Sequence, residues 1–366
     1  MKIDFVFALG MATSIATGLA TANAIAQSPT DLEAGGFENT TPSTTPSEPA
    51  VRGAQRGTLL DQGVLLIPES TNDRVMAFDP FDGTLIDADF IPSDPTNLST
   101  PIEAVFNADQ TAILVSDQLE DGVFAYDLTG APLGLFAPAG GIDNSILDNV
   151  RGIEIDPNNG NLLVSTASGA NADAIAEFDT AGNSIGNRVA PAAGGMDSPF
   201  DVLIDGSTIF APSITSDAIH EYDLAGSYLG DFAPVDTFPE QMAPRAGGGY
   251  FVANFSGGQE GIIEFDAAGT VVNVLDDPTL GGYRGVFELG NGNLLVTNGG
   301  GVHEMDRTGA LVETEIAGVS ARFISLVQRG QVLPEFVPVP TLGRAGLLVL
   351  LVLVAGLGVV VIRRVG

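Results

Sequence analysis

Six times along its middle the chain writes one short pattern: an alternating apolar strand, an aromatic residue or methionine, an aspartate, and a glycine a few residues on. It is read in "VMAFDPFDG", "VFAYDLTG", "IAEFDTAG", "IHEYDLAG", "IIEFDAAG" and "VHEMDRTG". The aspartates are Asp79, Asp127, Asp179, Asp223, Asp266 and Asp306, separated by 48, 52, 44, 43 and 40 residues. Self-similarity at such a period means that one supersecondary unit recurs and stacks its apolar face on its neighbours. An aspartate carboxylate accepts backbone N–H groups in a tight turn, and glycine supplies the positive φ. The six aspartates are therefore read as turn residues that start a return strand.

Three further strand series flank each turn. "VLLIPE", "AILVSD", "NLLVST", "TIFAPS", "YFVANF" and "NLLVTN" lie upstream. Before most of them come polar or glycine-rich turns, and before those a series "IEAVF", "RGIEI", "FDVLI", "QMAPR", "RGVFE" and "ARFISLV". A last series follows the aspartates, from "TLIDADF" to "ALVETEI". Four short strands per period, six times over, predict an all-β fold, a six-bladed β-propeller over 57–330. The first period, from Gly63, lacks an innermost strand, and the last has one to spare, at 321–327. That strand can close the first blade; "GTLL" at 57–60 competes for the same slot. Closure removes exposed sheet edges.

The segment "STNDRVMAFDPFDG" resembles the NHL-type propeller repeat, in which a polar turn with Asn precedes Arg-Val and a strand ending in Asp-x-x-Gly. Asn72, Arg74 and Val75 carry that turn; later repeats match in the strands and the Asp turn only. With no tryptophan in the chain, the Trp-Asp repeat class lacks its signature residue.

The formal net charge of −32 makes nucleic acid a poor partner. Lys2 is the single lysine among 14 basic residues. An acidic, lysine-poor surface suits a saline habitat, and it equally suits an ordinary acidic exported protein. The absence of cysteine rules out disulfides and a thiol nucleophile.

Residues 1–26 read as a signal peptide: Lys2, an apolar stretch, then Ala22-Asn23-Ala24 and Ala24-Ile25-Ala26, with cleavage after Ala26. An uncleaved N-terminal anchor is the other reading. Residues 27–56, rich in Thr, Ser and Pro, form a linker with too little apolar content to bury. A second linker spans 331–338. Residues 345–362 then run uncharged for roughly 27 Å as a helix, enough to cross a bilayer core, and Arg363 and Arg364 hold the end inside.

Val339-Pro340-Thr341-Leu342, that apolar span and the two arginines together resemble the IPTL-CTERM sorting tail, a relative of PEP-CTERM. The resemblance implies export by way of signal peptidase, transient anchoring in the inner membrane, and cleavage by an exosortase-type enzyme. Delivery to the cell surface or the extracellular matrix follows. Gly343 and Arg344 stand where that family often has other residues. A permanent single-span anchor is the alternative.

Aligning the periods places Glu103, Gly152, Asp201, Gln241 and Gly285 in one ring position, with Arg151, Arg284 and Arg322 beside it. The second strands end in Glu69, Asp117, Thr166, Ser213, Asn254 and Asn298. Such an oxygen-rich mouth could hold Ca²⁺. The six-bladed gluconolactonase-like enzymes use a similar Glu/Asn/Asp set. That resemblance would make Glu103, Asn254 and Asp117 or Asp201 the metal ligands. Arg151, Arg284 and Arg322 are read either as partners of neighbouring carboxylates or as candidates for an anionic ligand. His220 and His303 fall at one strand position in two repeats, and no Gly-x-Ser-x-Gly or phosphate loop is present. Two functions are expected to compete. One is a non-enzymatic surface or matrix module with an unknown extracellular ligand. The other is an exported metal-dependent hydrolase or lactonase.

Overall fold

The computed structural model describes residues 56–330. The signal peptide, most of the first linker and the whole sorting tail, with its expected transmembrane helix at 345–362, lie outside the described residues. No helix among the described residues is long and apolar enough to cross a membrane.

Six four-stranded antiparallel sheets form, one per period. Blade 2 shows the plan: Pro101–Phe106 innermost, then Ala112–Asp117, Gly122–Asp127 and, outermost, Pro132–Ala137. Blades 3 to 6 repeat it over residues 150–189, 203–234, 239–275 and 285–317. Blade 1 takes Val64–Glu69, Arg74–Phe78 and Leu85–Ile91, and receives its innermost strand, Ser325–Val327, from the far end of the chain. Leu65 pairs with Leu326 in that seam, and a further bridge joins Glu69 to Ala321. The expected ring closure by 321–327 is thus observed.

The competing segment 57–60 is not a strand; it lies in a helix over 56–62. Its Leu60 is fully buried under blades 1 and 2. The Arg329 N–H donates to the Leu60 carbonyl, and Arg329 Nε meets Asp61 Oδ1 at 2.8 Å. The helix therefore ties the entry of the propeller to its exit.

The core is distributed. One apolar cluster fills each junction between consecutive blades. Leu66 and Val115 share the first, Leu114 and Val164 the second, Leu163 and Ile209 the third. Phe210 and Val252 share the fourth, Phe251 and Val296 the fifth, Leu295 and Ile67 the last. Second strands are buried on both faces, which is why they read as continuous apolar runs. Outermost strands, such as Ser184–Val189, are mostly exposed.

The aspartate turns form as the repeats predict. Asp223 Oδ1 accepts from the N–H of Ala225 and Ser227, and Asp266 Oδ1 from Ala268 and Thr270. Their glycines do more than turn. Gly226 has φ 81°, and a Cβ there would stand 1.6 Å from the Arg188 carbonyl oxygen of blade 3. Gly182 stands in the same way against Phe136 of blade 2. Each of these turns rests on the outer strand of the preceding blade.

Candidate functional site at the channel mouth

The site lies where the innermost strands begin and the second strands end. Register shifts fall there in three blades, between Pro101 and Ala104, Val150 and Ile153, and Pro239 and Met242. A bulge of this kind re-aims side chains. Here it lets two successive positions of those three repeats serve the channel.

The first of these is the expected ring position, and it is a belt of hydrogen bonds between blades. Glu103 of blade 2 accepts from the Ile153 N–H of blade 3 at 2.8 Å and from Ser325 Oγ of blade 1 at 2.9 Å. Asp201 accepts from the Met242 N–H of blade 5 at 2.9 Å and from its own neighbour Val202 at 2.8 Å. Gln241 Oε1 accepts from the N–H groups of Val286 and Ile324, each at 3.0 Å, while its Nε2 donates to the Ile324 carbonyl. The glycines of the ring make room. A Cβ at Gly152 would meet Asp201 Oδ1 at 2.4 Å, and one at Gly285 would come within 3.1 Å of Gln241 Oε1. Burial raises the Glu103 carboxyl well above its usual range, helped by the charge of Asp201, and pushes Asp201 up to about 7.

The four expected metal ligands are not gathered around one point. Asp117 spends Oδ2 on the N–H groups of Ser99 and Thr100 and Oδ1 on those of Leu119 and Glu120. Asn254 turns its Nδ2 to the carbonyls of Asp236, Ser256 and Gln259. Both fix loops at their own strand ends, as does Glu69, whose Oε1 takes Asn72 and Arg74 of the NHL-like turn. Among the described residues, no group of three or more His, Cys, Asp or Glu side chains is placed to hold a metal ion. Glu103 and Asp201 do meet electrostatically, but as inter-blade acceptors. His220 and His303 stay in blades 4 and 6, near Ser216 and Asn298 respectively.

The second position is one residue earlier: Ile102, Arg151, Phe200, Glu240, Arg284 and Arg322, with Phe323 following the last. Ile102, Phe200 and Phe323 pack together as an apolar plug in the channel. Above it run Phe238 and Phe255, with ring centroids 5.1 Å apart; Phe238 lies 6.0 Å from Phe200. Phe238 holds φ at 71°, a conformation that bulky residues rarely adopt.

The three arginines stand around this arc. The Arg151 guanidinium stacks 4.4 Å over Phe200, and Nη1 donates to the Ser198 and Pro199 carbonyls. Arg284 lies 5.6 Å over Phe255 and donates to Ser320 Oγ at 2.7 Å. All three pull on the carboxyl of Glu240, which burial nevertheless pushes up to about 7. Burial lowers Arg151 and Arg322 to about 10, and for Arg322 the charge of Arg284 adds to it; both stay cationic at neutral pH. Glu240 is the residue that sequence reasoning missed. Its signal was present: it occupies, in the fifth repeat, the column that holds Arg in the third and sixth.

No family model matches the sequence, and no curated protein matches it either. Solved structures do. A chain of a nidogen/laminin complex is 15% identical, with a TM-score of 0.57, over 72% of this chain and 98% of that one. A protein of unknown function from Bacteroides caccae is 17% identical, with a TM-score of 0.52, over 72% and 98%. A gluconolactonase from Xanthomonas campestris is 15% identical, with a TM-score of 0.49, over 70% and 83%. At these identities the likeness is one of fold: a six-bladed propeller.

Proposed function

We propose that this chain is an exported, non-enzymatic binding module, an NHL-like propeller delivered to the cell surface or extracellular matrix by its C-terminal sorting signal. The observation that carries the binding role is the use of the ring oxygens. Glu103, Asp201 and Gln241 spend them on backbone N–H groups of adjacent blades, so they rigidify the mouth. What faces the opening is an aromatic arc with cationic groups, a surface suited to holding a ligand. The lactonase reading would require two of these, Glu103 and Asp201, and the already engaged oxygens of Asp117 for a metal.

The delivery role rests on sequence: the signal peptide, the Val339–Leu342 motif, the apolar span and the terminal arginines. Cell fractionation with intact-mass analysis tests it. The expected product begins at Gln27 and ends between Pro340 and Leu342, outside the inner membrane. A protein retained in that membrane and still ending in Arg364-Val365-Gly366 would show a permanent anchor. Calcium-dependent turnover of lactones by the purified protein, lost in Glu103→Gln, would overturn the non-enzymatic role.

A further inference from the structure

Nine arginines fall within the described residues. Six of them, Arg56, Arg74, Arg188, Arg245, Arg307 and Arg329, each lie within ion-pair distance of at least one carboxylate. In a chain with 46 acidic residues that is the expected state. The other three are Arg151, Arg284 and Arg322, and none of them makes an ion pair with a described residue. They come from three different repeats, hold one column of the repeat alignment, and converge on one mouth of the channel.

Their donors are not used up. The Nε atoms of Arg284 and Arg322 are buried without a hydrogen-bond partner. The Arg322 guanidinium makes no side-chain hydrogen bond at all among the described residues, although its backbone is fixed by Pro68 and Thr297. Glu240, the carboxylate on which all three act, makes no ion pair with any of them among the described residues, and its Oε2 is also buried and unpartnered. Like charges brought together under partial burial repel, and a chain this acidic had ample means to neutralise them locally. Three cations bear on one shared carboxylate, with Asp117 also acting on Arg322 and Asp173 on Arg151, yet none of them closes an ion pair with a described residue and donors at the mouth stay unspent.

We infer that Arg151, Arg284 and Arg322 form a binding site for an oxyanion, sulfate- or carboxylate-headed, at the channel mouth. This deepens the reading of the chain as a binding module and rests on it. Guanidinium groups offer paired N–H donors that match the oxygens of such heads. The strained Phe238 and its neighbour Phe255 line the approach and give an apolar face to a ring-bearing ligand. Glu240 tempers the site. The charged groups that act on it are the three arginines; Asp117 in turn acts on Arg322 and Asp173 on Arg151. When Glu240 takes a proton, one repulsive charge leaves and its hydroxyl becomes a donor toward the anion.

The test is calorimetric titration and thermal melting of the full mature protein. The probes are inorganic sulfate and glucuronate, against chloride at matched ionic strength. Saturation at a hundredfold excess over Kd is expected to raise the melting temperature by about 5 °C. Binding of sulfate shows a site for the oxyanion head alone. Binding of glucuronate only shows that the ring face is needed, as for the acidic end of a polysaccharide. Arg322→Gln should weaken either by about tenfold or more, while Arg329→Gln, away from the mouth, should leave it intact. If Arg322→Gln does not fold, Arg322→Lys keeps the charge and should still weaken binding, because the paired donors are gone. Sulfate keeps its charge between about pH 6 and 8, so its affinity should rise toward the acid end, and in Glu240→Gln that dependence should vanish. Failure of both probes to bind the wild-type protein overturns the site. So does binding undiminished in both Arg284→Gln and Arg322→Gln. Either result leaves the export reading untouched, since that is tested separately by fractionation and intact mass.

Discussion

Gln241 shows what a single side chain does for this fold. It reaches from blade 5 to blade 6 and to the strand that closes blade 1, accepting two backbone N–H groups and donating to one carbonyl. Truncation to Gln241→Leu fills much of the same space but leaves the N–H groups of Val286 and Ile324 buried without acceptors. Each such loss costs roughly 1–3 kcal/mol, so with two of them the variant should lose about 2–6 kcal/mol in denaturant unfolding. A loss under about 0.5 kcal/mol would mean that the belt contributes little. The position was legible in the sequence as one column of the repeats, but its role was not. Columns show which residues share a place; they do not show whether an oxygen faces the channel or a neighbour's backbone. The same limit hid the partners of the Asp117 carboxylate and the Asn254 Nδ2, which lie in loops of irregular length.

At the scale of the element, the repeats were readable because burial differs so sharply between strands. Ala112–Asp117 is buried throughout, whereas Pro132–Ala137 in the same blade is buried only at its end. Hydrophobic runs and alternating runs therefore mark second and outer strands directly. The one ambiguous element was 57–60. Its apolar pair Leu59-Leu60 suits a strand or a helical turn equally, and a run this short carries no period. Tertiary pairing decided it, because Ser325–Val327 already held the slot beside Val64–Glu69. A chain ending at Ser320 should then lose the seam and with it Ser325 as a partner of Glu103 and Ile324 as a partner of Gln241. It is expected to unfold in one transition well below the parent melting temperature, since every inter-blade cluster depends on its neighbours being held. A truncated protein that melts with the parent, or that loses only blade 1 in a separate step, would show that the ring does not need its closure.

For the whole molecule, the combination of a surface rich in carboxylates and a channel with buried ones fixes how stability follows pH. Burial pushes Asp201 and Glu240 up to about 7 and Glu154 up to about 8, the last also through the charge of Asp201; Glu103 moves the same way. In the unfolded chain these groups titrate near 4. Between those values the native state keeps protons that the unfolded state has released, so stability is full below about pH 4 to 5 and declines as pH rises through about 7 to 8. Each group contributes a slope of about 1.4 kcal/mol per pH unit within its own interval at most. The turn aspartates act in the opposite sense. Backbone N–H groups of Ser227 and Thr270 hold Asp223 and Asp266 below the usual range, so their contribution is lost only as pH falls below about 4. The two trends cross in mild acid. The melting temperature, followed at constant ionic strength in a buffer without oxyanions, should therefore peak near pH 4 to 5 and fall steadily toward pH 8. A profile that is flat from about pH 5 to 8 would mean that the channel carboxyls ionise as freely in the folded ring as in the open chain, and that water reaches the belt between the blades.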